Sequence, residues 1–74
     1  MEHATLTAEL GGAIRRRRES LGYSQDRFAD AIQMHRAYYG SIERGARNVT
    51  VSTLARVAEG LGVKPSDLLR DAGA

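Results

Sequence analysis

Positions 35 to 48 concentrate the side chains best suited to recognition. His35, Arg36, Ala37, Tyr38 and Ser41 fall at the start and on the outward positions of a short helical stretch, and Arg44, Arg47 and Asn48 follow closely. Ten of the eleven basic residues in the chain are arginine. A guanidinium binds two acceptors held side by side, an arrangement that both a phosphate and a guanine edge provide. The chemistry on offer is binding rather than bond-making. No Ser/His/Asp or paired-carboxylate arrangement stands out, and a short helical chain leaves little room for a closed catalytic pocket, so the chain is not read as an enzyme. His3 and His35 are the only histidines, they lack paired ligand spacing, and there is no cysteine; no metal site and no cofactor are expected.

Net charge is only +2, but its distribution is uneven. Residues 1–14 carry two acids and no Lys or Arg, residues 15–47 carry eight arginines against four acids, and residues 48–74 carry three groups of each sign. The positive field therefore lies over the recognition stretch, as an electrostatic footprint on nucleic acid requires. No apolar run approaches the roughly 18 residues that span a membrane. The opening Met-Glu-His-Ala-Thr lacks the basic region and apolar core of a signal peptide, so a cytoplasmic protein with no membrane partner is expected. Seventy-four residues make one small domain, 1–74, with residues 1–6 read as a flexible tail and 71–74 as a frayed end. A chain of this size buries only about 60% of its unfolded surface, so a partner copy would help its stability.

Aromatics and strand-type alternation are sparse, which predicts an all-α domain. A first helix is expected over 7–21, with Leu10, Ile14 and Leu21 as its apolar stripe and Gly22 at its end. Gly11 and Gly12 weaken it by roughly 1 kcal/mol each relative to Ala. Ser24 is a good N-cap for a second helix that turns Phe28, Ala29 and Ile32 inward. A third starts near His35 and ends before Gly45, with Tyr39 and Ile42 buried and Met34 anchoring the turn before it. Thr50 caps a fourth, whose apolar face is Val51, Leu54, Val57, Ala58 and Leu61, ended by Gly62. Pro65 suits the first turn of a fifth, carrying Leu68 and Leu69.

Helices two and three meet the demands of a helix-turn-helix. A bulky residue beside a small one, Phe28 and Ala29, lets the third helix approach the second. Ile32, Met34, Tyr39 and Ile42 fall where the space between them must be filled, and polar groups stay on the outside. In such a motif the second of the two helices enters the DNA major groove.

The segments Ser24-Gln25, Phe28-Ala29, Ile42-Glu43-Arg44-Gly45 and Leu54 to Gly62 resemble the XRE (phage-repressor and Cro-type) helix-turn-helix family. More narrowly, the run from His35 to Asn48 is similar to the controller proteins of restriction–modification systems. The resemblance implies a compact five-helix, phage-repressor-like DNA-binding domain. It would act as a homodimer on a pseudo-palindromic operator in double-stranded DNA, with half-sites about 34 Å apart. Arg36 would read guanine O6 and N7 together, worth about 1–3 kcal/mol of discrimination. Ala37, Tyr38 and Ser41 are further base-readout candidates, and His35 either reads a base or caps its helix. Ser24 and Gln25 before the second helix, and Arg44, Arg47 and Asn48 after the third, would hold phosphates and set register. The resemblance also implies a structural ion pair between Arg18 and Glu43, and a self-complementary dimer interface drawn from Val49, Val51, Leu54, Leu68 and Leu69. RNA polymerase is a further expected partner of such a regulator.

Two positions depart from the family. Gln33 stands where the turn usually has glycine, so either the turn is strained or Gln33 is left-handed at about 1 kcal/mol. Ala37 stands where controllers commonly have Thr, keeping a methyl for thymine and losing a hydroxyl. Arg17, at a place often apolar in relatives, is read as solvated or at an interface edge, and Asp26 and Asp30 as solvent-facing helix charges. Two other functions remain open: an antitoxin that represses its own operon, which would need a toxin-binding segment, and a protein-interaction module that keeps the fold without binding DNA.

Overall fold

Local side chains set where the helices begin. Ser24 Oγ accepts the Arg27 N–H at 3.1 Å, His35 Nδ1 accepts the Ala37 N–H at 3.2 Å and Thr50 Oγ1 accepts the Thr53 N–H at 3.1 Å. Each bond satisfies a donor that a helix start leaves without an intrahelical partner. The computed structural model describes residues 3–74, which form five helices: α1 (His3–Ser20), α2 (Gln25–Ala31), α3 (Arg36–Glu43), α4 (Val51–Leu61) and α5 (Pro65–Asp71). No strand occurs among the described residues. Gly22 and Gly62 follow α1 and α4 with left-handed φ of 82° and 74°, and the Asp67 carboxylate accepts the Lys64 N–H at 2.9 Å at the start of α5.

The apolar stripes meet in one core. Leu10, Ala13 and Ile14 of α1 pack with Phe28 and Ala29 of α2, Tyr39 and Ile42 of α3, Leu54, Val57, Ala58 and Leu61 of α4 and Leu68 of α5. The Phe28 ring lies between Tyr23 and Tyr39, with centroids 5.5 and 5.3 Å away. Tilted aromatic pairs of this kind add about 0.5–1.5 kcal/mol beyond their burial. This core holds α3 by its inner face and leaves its outer face free.

Several expectations are corrected. Gly11 is a contact rather than a weak point: a Cβ there would stand 2.5 Å from the Ile42 carbonyl oxygen and 2.6 Å from that of Glu43. Only a bare position lets α1 approach the end of α3 so closely. Residues 3–6, expected in a tail, are the first turn of α1, and the Thr7 hydroxyl donates to the His3 carbonyl at 3.0 Å. The remainder of that expected tail, residues 1–2, lies outside the described residues. Leu21 is not on the buried stripe, because α1 ends at Ser20 and leaves Leu21 in the turn, 52% exposed. Val51, the first residue of α4, is not buried with the rest of the apolar face but 82% exposed. At the other terminus α5 runs through Asp71 and Ala72 is buried. Arg17 is exposed to solvent but not unengaged: its Nε and Nη2 lie 2.5 and 3.3 Å from the two Asp71 carboxylate oxygens, tying α5 to α1. Each partner's charged form is favoured by that hydrogen bond, the Asp71 carboxyl sitting below its ordinary value and Arg17 above.

Candidate DNA interface

The turn between α2 and α3 sets the angle of the outer helix. Gln33 adopts φ of 56°, so the second of the two alternatives for this position holds. The left-handed backbone costs about 1 kcal/mol for a residue with a Cβ. Arg56 of α4 supplies a compensation that sequence reasoning missed: its Nη2 donates to the Ile32 and Gln33 carbonyls at 2.7 and 2.8 Å. The Met34 N–H donates to the Ala29 carbonyl at 2.9 Å, and the Met34 side chain is buried below the turn.

The outer side of α3 carries exposed Arg36, Ala37 and Arg44, half-buried Tyr38, and exposed Arg47 in the loop beyond. The Arg47 guanidinium stacks 5.4 Å from the Tyr38 ring centroid, a cation–π contact that holds a positive charge beside the helix. His35 is the N-cap of α3, which decides its structural role for capping. Arg36 reaches back over the turn, its Nη2 2.8 Å from Asp30 Oδ2 and its Nη1 3.5 Å from Asp26 Oδ2. The Arg36 hydrogen bond keeps the Asp30 carboxyl below its ordinary value. Asp26 and Asp30 face solvent as expected, but as partners of Arg36.

Beneath this face lies a buried polar network centred on Glu43. Arg18 Nε and Nη2 donate to its two oxygens at 2.7 and 3.0 Å, the Tyr39 hydroxyl donates to Oε2, and Gln25 Nε2 donates to Oε1 at 3.1 Å. Arg18 Nη1 also donates to the Tyr23 carbonyl at 2.7 Å. The side chains of Arg18 and Glu43 are only 8% and 2% exposed. Burial alone would push the Glu43 carboxyl up; the hydrogen bonds from Arg18, Tyr39 and Gln25 outweigh it and hold the group below its ordinary value. Burial, with the Glu43 carboxylate beside it, pushes the Tyr39 phenol well up. One carboxylate thus fixes α3 to α1 and to the start of α2.

Two expected contact residues are placed differently. Ser41 does not face outward: it is 7% exposed, its hydroxyl donates to the Tyr38 carbonyl at 2.6 Å, and its own carbonyl accepts the Ala46 N–H at 2.9 Å. Gln25 turns its amide inward onto Glu43, because an uncovered carboxylate oxygen there would be costly, so its side chain is not displayed for a phosphate. Asn48 stays exposed, with its amide oxygen 3.3 Å from the Thr7 hydroxyl of α1. Ser24 is exposed but occupied as the α2 cap. Of the dimer set, Leu68 is fully buried in the chain's own core and has no surface for a partner. Val49 and Leu69 are half-buried, and with Leu6, Leu10, Val51 and Leu54 they line an apolar groove of about 210 Å³ between α1, α4 and α5.

This arrangement, a scaffolded outer helix with a basic face, defines a helix-turn-helix DNA-binding domain. The helix-turn-helix family matches residues 14–68, and the chain belongs to it, as an XRE-type member and transcription regulator. Among individual relatives, control protein C.MunI of Mycoplasma sp is 44% identical over 55 residues, which is 74% of this chain and 74% of that protein. The clp gene regulator ClgR of Corynebacterium glutamicum is 32% identical in structure-based alignment, with a TM-score of 0.87 over 92% of this chain and 87% of ClgR. The restriction–modification controller protein C.Esp1396I, solved as a tetramer on its natural 35 base-pair operator, is 26% identical with a TM-score of 0.79 over 93% of this chain and 96% of its own. No helix among the described residues is long and apolar enough to cross a membrane.

Proposed function

We propose that this chain is a homodimeric, sequence-specific regulator of a restriction–modification locus, binding a pseudo-palindromic operator in double-stranded DNA within the cytoplasm. The observation that carries the reading is the exposed basic surface made by Arg36, Ala37 and Tyr38 of α3, a helix fixed from beneath, with Arg44 at its C-cap and Arg47 in the loop after it. Similarity to C.MunI and to C.Esp1396I on its operator supports it. In this reading Arg36 reads a base edge, with Ala37 and Tyr38 beside it, while Arg44 and Arg47 bind phosphate. His35 and Ser24 contribute through the helix starts that they cap. The apolar groove around Val51 meets its copy across a two-fold axis, so that the two α3 helices reach successive major grooves. RNA polymerase is the downstream partner.

Selection of random duplex DNA by the purified protein, with sequencing of the bound pool, tests this. A two-fold symmetric consensus is expected, and a sedimentation measurement should give a dimer. A pool without consensus would overturn sequence-specific binding, and a monomer at micromolar concentration would overturn the groove as a dimer interface.

A further inference from the structure

Arg36 is already engaged in the free protein, and the geometry of that engagement is informative. Its Nε lies 3.3 Å from Asp30 Oδ1 and its Nη2 2.8 Å from Asp30 Oδ2, while Nη1 lies 3.5 Å from Asp26 Oδ2. Asp30 therefore takes the Nε–Nη2 side of the guanidinium. Among the described residues the Nη1–Nη2 end of the guanidinium meets only the long 3.5 Å contact to Asp26, and such an end is what guanine O6 and N7 accept together. All three side chains are well exposed, so the ion pairs add little to stability. What they change is orientation and charge. A free arginine on a flexible stem is attracted to any phosphate; one held by a carboxylate is close to neutral as a unit and presents a fixed fork.

We propose that Asp30, with Asp26 as a weaker second, is a positioning residue for base readout: it holds Arg36 so that the remaining fork selects a guanine edge over a phosphate. The inference rests on Arg36 reading a base, as argued under Proposed function. Asp30 then acts twice. It raises the preference for the correct base pair, and it lowers affinity for DNA of any sequence, since α2 lies beside the DNA backbone in this motif and a carboxylate there repels it. Neither effect needs a direct contact between Asp30 and a base.

The test compares wild type, Asp30→Asn, Arg36→Ala and the double variant by selection from random duplex DNA, followed by salt titrations on a duplex of scrambled sequence. Arg36→Ala should erase preference at one position in each half-site. Asp30→Asn should weaken preference at that same position, by roughly threefold or more given the strength of a bidentate contact, and leave the other positions intact. It should also tighten binding to the scrambled duplex and steepen its salt slope by about 0.9, as one more phosphate contact would. In the Arg36→Ala background Asp30→Asn should no longer alter any base preference. Asp30→Glu, which keeps the carboxylate, should recover part of the lost preference. If Asp30→Asn leaves the preference intact where Arg36→Ala erases it, the positioning role is overturned and base readout by Arg36 stands. If it weakens every position alike, Asp30 acts only as a charge, which also overturns the role. If Arg36→Ala alters no preference, base readout falls and this inference falls with it.

Discussion

Replacing Glu43 by alanine is the sharpest test of how α3 is held. The substitution removes the acceptor of four hydrogen bonds and leaves the Arg18 guanidinium in a site where it is 8% exposed. Removing one side of a buried pair costs about 3–5 kcal/mol. Arg18 keeps its bond to the Tyr23 carbonyl, so the lower end applies. At about 4–8 °C per kcal/mol for a domain of this size, the melting temperature should fall by roughly 12–24 °C. Since a domain of this length has only about 4–11 kcal/mol in total, the variant should be partly unfolded at 37 °C. Thermal unfolding followed by circular dichroism measures this directly. Replacing both partners, Arg18→Met with Glu43→Leu, should recover part of the loss, because no charge is then left unpaired although the buried Tyr39 hydroxyl loses its acceptor. A fall of less than about 4 °C for Glu43→Ala would refute the reasoning, showing that water reaches the site and that α3 is held by apolar packing alone.

Three further outcomes are expected. Because the Glu43 carboxyl is held below its ordinary value of 4.5, its contribution is present above that pH and drains away as pH falls through the lower folded value; urea midpoints should drop below about pH 4.5 in wild type and less steeply in the Arg18→Met, Glu43→Leu pair. Arg56→Ala should lower the melting temperature through the two turn carbonyls it leaves, and Gln33→Gly, which relieves up to about 1 kcal/mol of left-handed strain, should restore part of that loss; equal melting temperatures for wild type and Arg56→Ala would remove the clamp. Gly11→Ala should destabilise by about 1–3 kcal/mol although alanine favours helix, since the new methyl collides with backbone of α3; a stabilised variant in urea unfolding would contradict that packing.

What could be read in the chain was what depends on near neighbours. Ser24, Thr50, Gly62 and Pro65 announce helix ends because a cap acts within three residues of itself. Phe28, Ala29, Tyr39 and Ile42 announce the inner faces by their spacing. Arg56 gave no such signal, because its partners lie 24 and 23 residues away and are carbonyls that every residue possesses. The same holds for Gln25, whose polar type fits either a phosphate or a carboxylate until Glu43 is placed beneath it. Ser41 was misplaced because its hydroxyl turns back onto the Tyr38 carbonyl of its own helix, which a polar residue type at an outward spacing does not reveal. Asp30 and Arg36 are six residues apart across a turn, a separation that no helix rule pairs.

The depth of the Glu43 network has a bearing on how such a protein can diverge. Arg18, Tyr39 and Glu43 are buried where they hold α3, whereas Arg36 and Ala37 lie wholly on its outer side and contribute nothing to the core. Substitutions at 36 and 37 are therefore nearly free of stability penalty, while those at 18, 39 and 43 are not. If Arg36 and Ala37 read bases as proposed, a lineage can exchange one preferred operator for another by changing these two positions, and each intermediate remains folded. Tyr38, half-buried and stacked by Arg47, is the point where the two demands meet, so it should drift more slowly than its neighbours on either side.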